Sequence, residues 1–416
     1  MEKSAHTRNW LSRFKRSYKE VIRWMDWPLF FVSFLLIILG LIMIFSATST
    51  QTLTGGLNNP FSFLLTQGVA LLLGLMLALI LLLIPYYFLK DFRSLLTAMA
   101  FVTLLLVATL LLADTVNGAR SWLSIAGFSL QISEFVKPLG IMVMAWFLVN
   151  NEREVKLALN GQVPRQMYTL LGLLILDLGL IFLQPDLGMV FIILAVIIMM
   201  RMAQRSLKIN LGIFAFVGLL YALMYNYFSG YQTASQSYQI NRFLAMVDPF
   251  KFRQGIGYQI INGYHAFSNG GWFGVGLGRS QMKQGYIPAV HNDFILALVG
   301  EELGLLGVLL VLALYFYLIY RLLRWASQAK DSYRSKVLLG IGLLFFIQMT
   351  VNIGGITGIL PLTGVTLPFL SYGGTSAMVF LTTLGLAQRI IIQERKDHHH
   401  HLNLVYSKAK GGHHGI

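Results

Sequence analysis

The feature that most limits what this chain can fold into is a succession of long apolar runs. Ten of them stand at approximately 28–48, 61–84, 94–112, 132–150, 167–183, 187–204, 209–228, 293–322, 336–359 and 376–393. A helix needs about 20 mostly apolar residues to cross a bilayer, and a helix satisfies all its own backbone hydrogen bonds there. The runs therefore predict an all-α polytopic membrane protein with about ten spans. Composition closes the alternatives. Of 416 residues, 56% are hydrophobic and 12% charged, and mean hydropathy is +0.66. Soluble domains carry about 25% charged residues, and disordered or coiled-coil chains are more polar still. The first run starts late and lacks a small-residue cleavage site, so it reads as a span rather than a cleaved leader. There is no cysteine, which excludes disulfides, thiolate metal sites and cysteine nucleophiles.

The net charge of +15 invites a nucleic-acid reading, but the positions of the charges oppose it. Residues 1–27 hold Lys3, Arg8, Arg13, Lys15, Arg16, Lys19 and Arg23. With that tail in the cytoplasm, the other inner segments carry Lys90 and Arg93; Arg153, Lys156 and Arg165; Arg201, Arg205 and Lys208; Arg321, Arg324, Lys330, Arg334 and Lys336; and Arg389, Arg395, Lys396, Lys408 and Lys410. The short outer loops carry only Arg120. This is the positive-inside pattern, and its secondary effect is attraction to anionic lipid heads. It divides the chain into a basic cytoplasmic tail (1–27), a membrane domain (28–393) and a second cytoplasmic tail (394–416). One outer segment is long, 229–292, and long loops are where function tends to sit.

Ionisable groups at membrane depth are costly and mark functional sites by default. Four clusters lie towards the outer ends of the spans. The first is Arg120-Ser121-Trp122 with Gln131-Ile132-Ser133-Glu134 and Lys137. Glu134 and Lys137 share a helix face at i and i+3, so they could pair with each other, or Lys137 and Arg120 could receive an anionic head group. The second is Gln184-Pro185-Asp186, where Asp186 could cap the next helix or line an outward cavity; Asp177 is a buried acid nearby in sequence. The third is His291-Asn292-Asp293-Phe294, followed by Glu301 and Glu302. Asp293 opens an apolar helix, where the helix N-terminus favours the ionised carboxylate. It could be an ordinary cap, or it could accept a proton from a substrate hydroxyl. Glu301 and Glu302 lie deeper, where an ion pair is the competing role. The fourth is Asn352-Ile353-Gly354-Gly355 and the Gly/Pro-punctuated stretch 358–376, which reads as a re-entrant loop beside a cavity. The run Gly274-Val275-Gly276-Leu277-Gly278 follows no strand and is not a nucleotide loop. His265 and His291 are too far apart for a metal motif. His398 to His401, His413 and His414 lie away from every cluster and are assigned no role.

Several separated motifs occur in one order: Gly118-Ala119-Arg120-Ser121-Trp122, Gln-x-Ser-Glu-x-x-Lys at 131–137, Gln184-Pro185-Asp186-Leu187-Gly188, Gly257-Tyr258-Gln259, the Gly270 to Gly278 run, His291-Asn292-Asp293-Phe294 with Glu301-Glu302-Leu303-Gly304, Leu360-Pro361-Leu362-Thr363-Gly364 and Ser371-Tyr372-Gly373-Gly374. Together they resemble the SEDS family (shape, elongation, division and sporulation), the FtsW/RodA-type peptidoglycan polymerases, across about 28–393. The end of span one, Ile44-Phe45-Ser46-Ala47-Thr48-Ser49, is more similar to the division type. The chain departs from common family patterns at Ile132, at Asn292 and at Pro288-Ala289-Val290, but keeps the charged positions.

The resemblance implies a ten-span enzyme that polymerises lipid II at the outer face of a bacterial cytoplasmic membrane. It implies Asp293 as the essential acid and a single-span class B penicillin-binding transpeptidase as partner, among other division or elongation proteins. In that chemistry Asp293 is the base, and Arg120, Lys137 and Arg242 are candidates to balance the diphosphate leaving group. Trp122 and Tyr258 could bound the sugar or lipid path. Glu134, Asp186, Gln259, Glu302 and Ser371 lie in the matching motifs and complete the substrate-binding expectations. No protein metal site is expected. A divalent cation, Mg or Mn, is the one cofactor such chemistry could use. There are two rivals: a lipid II flippase, which would use the same buried charges but should also carry charges in the inner half of its spans, and a non-catalytic scaffold for a transpeptidase, which has no need of Asp293 together with the cationic cluster.

Overall fold

The computed structural model describes residues 19–49, 60–114, 119–125, 128–157, 165–231, 238–255 and 257–411. Most of the basic N-terminal tail, Gly118, and His413 and His414 lie outside these residues.

Each expected span is a helix. They are α1 (Trp27–Thr48), α2 (Pro60–Leu83), α4 (Phe92–Leu112), α5 (Ser133–Leu157), α6 (Arg165–Leu183), α7 (Leu187–Met202), α8 (Leu207–Ser229), α11 (Ile295–Gln328), α12 (Ser332–Ile356) and α13 (Gly374–Gly411). A short α3 (Tyr86–Lys90) turns the chain between α2 and α4, and α9 (Tyr238–Val247) and α10 (Tyr258–Gly270) occupy the long outer segment. Among the described residues, eight helices are long and apolar enough to cross a membrane. The 16-residue α7 and the more polar α5 are the other two of the ten. The chain is a multi-pass membrane protein.

Aspartates start four of these helices. Asp26, Asp91, Asp186 and Asp331 each accept a hydrogen bond from the backbone N–H three residues on, at 3.0–3.2 Å, which satisfies a donor that the first turn leaves free. Burial sets the layers. In α12 and α13, 72% and 83% of the apolar window is buried, against none in α8. The core is thus α12 and α13, ringed by α1, α2, α5, α7 and α11, with α4 packed on α6 outside α5. Along α13 and α2 the backbones touch at small residues. A Cβ on Gly74 would lie 2.7 Å from Met378 O, and one on Gly385 would lie 2.5 Å from Ala78 Cβ. Close approach through glycine is how helices associate where no hydrophobic force drives them together.

Two features have no counterpart among the sequence expectations. Two strands, β1 (Trp122–Ile125) and β2 (Phe128–Gln131), pair antiparallel as a hairpin, with Trp122 opposite Gln131. And α11 is kinked at Gly304, which has φ 69 and ψ −169. The kink frees the carbonyls of Glu301 and Glu302, and the loop after α10 fills the gap. Val275 N donates to Glu301 O (2.9 Å) and Gly276 N to Glu302 O (3.0 Å), while Leu305 N donates to Gly271 O (2.9 Å). Backbone hydrogen bonds to the loop therefore splice the interruption, as buried backbone requires.

Candidate active site

The start of α11 is held from three directions. Phe294 is completely buried and its ring lies against Gly263 of α10, where a Cβ would approach it to 2.9 Å. From α12, Asn352 Nδ2 donates to Asp293 O (2.9 Å) and to Val365 O (2.8 Å), so one amide joins the mouth of α11 to the 357–373 stretch. Tyr372 N donates to His291 O at 2.8 Å. The 357–373 stretch is itself wedged into the bundle. A Cβ on Gly40 would lie 2.1 Å from Phe369 O, Tyr315 donates to Pro368 O, and Gln67 brackets the turn through Ser371 O and Gly373 N. The segment 367–371 of this irregular backbone is buried in protein, the setting in which non-helical backbone is tolerated within a membrane domain.

Around this frame the charges alternate. Lys137 Nζ sits 2.6 Å from Glu134 Oε2, 2.9 Å from Gln348 Oε1 and 4.6 Å from the Phe380 ring centre. Glu134 and Lys137 are 3% and 2% exposed, so this pair is sealed. Lys137 acts by its charge on Asp186. Asp186 Oδ2 accepts from Gln131 Nε2 at 2.7 Å, the hairpin delivering that amide, and Oδ1 caps α7. Arg242 of α9 is felt by both Asp186 and Asp293, and its guanidinium lies against Gly364, where a Cβ would meet Nη2 at 3.4 Å. Asp186, Arg242 and Asp293 are all half-buried. They are the members of the row that keep partial exposure, whereas Glu134 and Lys137 do not.

Burial pushes the Asp293 carboxyl up to about 6, with the opposite charge of Arg242 restraining it. Burial also raises Asp186, opposed by its bonds from Met189 N and Gln131 and by the charges of Lys137 and Arg242. Burial lowers His291 to about 4, so it is neutral; its ring stands between Phe63 and Tyr372 at centroid distances of 5.1 and 5.5 Å. Among the described residues no partner reaches His291 Nδ1 or Asn292 Oδ1.

Five expected residues, Glu134, Lys137, Asp186, Arg242 and Asp293, are thus brought into one array. Others fall elsewhere. Arg120 is exposed at the foot of the hairpin, beside Ser121, whose hydroxyl donates to Gln184 O at 3.2 Å. Trp122 and Tyr258 are 36% and 39% exposed. Gln259 Nε2 donates to Pro288 O at 3.3 Å and braces the approach to Asp293. Ser371 is buried, and its hydroxyl accepts from Leu367 N at 2.9 Å to close a turn. Glu302 is 1% exposed in a separate closed cluster, paired with Lys283 Nζ at 3.1 Å and bonded by Ser46 at 2.7 Å. Its neighbour Glu301 accepts from Gln281 N, Met282 N and Ser280, and so pins the loop. This geometry makes Glu302 a clamp between α1, the loop and α11. Gln348 beside Lys137, Gln67 at the 371–373 turn and Lys283 beside Glu302 are buried polar partners that sequence reasoning missed; an amide in an apolar run was the available signal for the two glutamines.

Comparison with known proteins places the chain in a family. A family model described as "Cell cycle protein", covering FtsW, RodA and SpoVE, matches residues 26–396. The chain is 34% identical to the probable peptidoglycan glycosyltransferase FtsW of Trichlorobacter lovleyi, over 84% of this chain and 89% of that protein. It is 34% identical to stage V sporulation protein E of Bacillus subtilis, over 87% and 95%. Among solved structures it is similar to one described as structural coordination of polymerization and crosslinking by a peptidoglycan synthase complex, with TM-score 0.66, 28% identity and coverage of 89% and 98%. It is also similar to the rod shape determining protein RodA of Thermus thermophilus, with TM-score 0.59, 26% identity and coverage of 89% and 97%. The chain belongs to the FtsW/RodA/SpoVE family of cell cycle proteins, the SEDS family.

Proposed function

We propose that this protein is a peptidoglycan glycosyltransferase that extends glycan strands from lipid II, with Asp293 as general base. The observation that carries the reading is the placement of Asp293 at the mouth of α11, half-buried and under the charge of Arg242, where burial raises its carboxyl to about 6. At neutral pH most of it is ionised, yet it retains more basicity than an ordinary carboxylate, which is the condition general base catalysis favours. The acceptor sugar hydroxyl gives its proton to Asp293 as its oxygen attacks the anomeric carbon of the growing strand. The bond from that carbon to the diphosphate oxygen breaks, and the electron pair leaves with the polyprenyl diphosphate. One displacement inverts the anomeric centre, so a second, nucleophilic carboxylate is not needed. Arg242 faces the developing negative charge. Lys137 is sealed behind Asp186, so its part is to hold that acid in place, and Arg120 stands where an incoming head group would first meet positive charge.

The site lies at the end of the bundle away from the basic termini, which supports the outer face of a bacterial cytoplasmic membrane with both tails inside. Relatives named FtsW support a role in cell division. A class B penicillin-binding transpeptidase is the proposed partner, in keeping with the similar complex that couples polymerization to crosslinking. Among the described residues no group of three or more His, Asp or Glu is placed to hold a metal ion. A Mg or Mn ion on the diphosphate is the cofactor proposed for this chemistry, and loss of activity on chelation with EDTA tests the requirement. The reading as a whole is tested by supplying labelled lipid II to the purified protein and its transpeptidase in liposomes. Glycan chains are the expected product; translocated lipid II without glycan would instead establish a flippase.

A further inference from the structure

At the opposite end of the bundle the two termini enclose an open pocket of about 820 Å³. One wall is the 19–24 helical turn, with Lys19, Glu20, Arg23 and Trp24; the other is α13 beyond the spans, with Lys396 and His399. The wall is anchored. Arg395 Nη1 donates to Trp24 O (3.1 Å) and Met25 O (2.8 Å), Lys396 Nζ lies 2.6 Å from Glu20 Oε2, and the Trp24 and His399 rings meet edge-on at 5.2 Å. Glu20 is engaged by Lys396, while Lys19 and Arg23, four residues apart on one helical face, are both exposed. The pocket also has a defined depth. Arg23 stands one turn before α1 begins at Trp27, and α1 then presents Trp27, Phe30, Phe31 and Phe34 outward. Lys396 stands one turn beyond the buried run Ile390 to Ile392 of α13. Cations over an aromatic belt at a span boundary are the arrangement that receives a lipid head group.

We propose that this pocket binds the phosphate of an anionic phospholipid of the inner leaflet, with Lys19 and Arg23 as the phosphate contacts and the acyl chains along α1. The leaflet rests on the orientation proposed above; the binding does not, because both faces are accessible in detergent. The test uses the full-length protein in neutral detergent, titrated with phosphatidylglycerol or with phosphatidylcholine of the same chains, and read by native mass spectrometry and thermal shift. Wild type should retain one more phosphatidylglycerol than Lys19→Gln/Arg23→Gln. The double variant should bind that lipid about thirtyfold more weakly, at about tenfold or less per interfacial cation, with phosphatidylcholine binding unchanged. The charge-preserving Lys19→Arg/Arg23→Lys should behave as wild type, and unchanged melting without lipid shows that the variants fold. Equal phosphatidylglycerol binding by wild type and the double variant would overturn the proposal. So would an equal thermal shift with inorganic phosphate alone, which would reassign the pocket to a soluble anion.

Discussion

A carboxyl that takes a proton from a sugar hydroxyl works best when its acidity lies near the working pH. Asp293, at about 6 against an ordinary 3.8, meets that condition because burial penalises its ionised form. Activity should therefore rise with pH through about 6 and level off above it, which a pH profile of lipid II polymerisation by the wild type will show. Arg242→Gln removes the opposite charge beside Asp293, so the same limb should move to higher pH while the maximal rate falls. The same shift affects stability. The folded state holds a proton on Asp293 that the unfolded chain has released between about pH 4 and 6. Stability from this group is thus present at low pH and lost as pH rises through about 6. Asp293→Asn should melt above wild type at pH 7.5, and the difference should vanish below about pH 4. Asp293 and Asp186 were legible in the sequence because an ionised residue at the edge of an apolar run is costly and conspicuous. The pairing of Glu134 with Lys137 was legible too, from their i, i+3 spacing; that Gln348 closes over Lys137 was not, because that contact joins residues 211 positions apart.

At the scale of elements, the ten spans could be read from apolar length alone, while the hairpin and the kink could not. Each hairpin strand is four residues long, too short for an alternating pattern to stand out, and it exists to aim Gln131 at Asp186. The kink needs a residue that tolerates φ 69, and it needs the loop glycines that splice it. A Cβ on Gly304 would lie 2.4 Å from Gly274 N. Gly304→Ala should therefore cost at least the 1–3 kcal/mol of a strained backbone and lower the melting temperature in detergent, with the splice partly opened. Beside it, Lys283→Met leaves Glu302 buried without its cation. Losing one member of a buried pair costs about 3–5 kcal/mol, so Lys283→Met should melt far below wild type, and adding Glu302→Gln should restore part of the loss. A fall in lipid II affinity with stability intact would instead place Glu302 at the substrate.

Over the whole molecule, charge separates the two ends of the bundle. The loop-covered end collects the alternating row from Glu134 to Asp293. At the other end the buried acids are held in helix-end pairs: Asp26 with Arg321 and Arg395, and Glu394 with Arg334, which also pairs with Asp397. A transporter that opens to both sides needs reachable charges along the inner half of its spans; here Asp26 and Glu394 are buried in their pairs. Orientation can be checked simply, since the chain has no cysteine: at the exposed position 401, His401→Cys should react with an impermeant maleimide only after the cells are opened. The central claim is tested most directly by glycan synthesis from lipid II by the purified protein with its transpeptidase, wild type against Asp293→Asn and Asp293→Ala, all with equal lipid II binding. The account predicts polymer from wild type and a loss of at least about a hundredfold in both variants. Polymer at the wild-type rate from either variant would contradict it, and Asp186 would be the next candidate for the base.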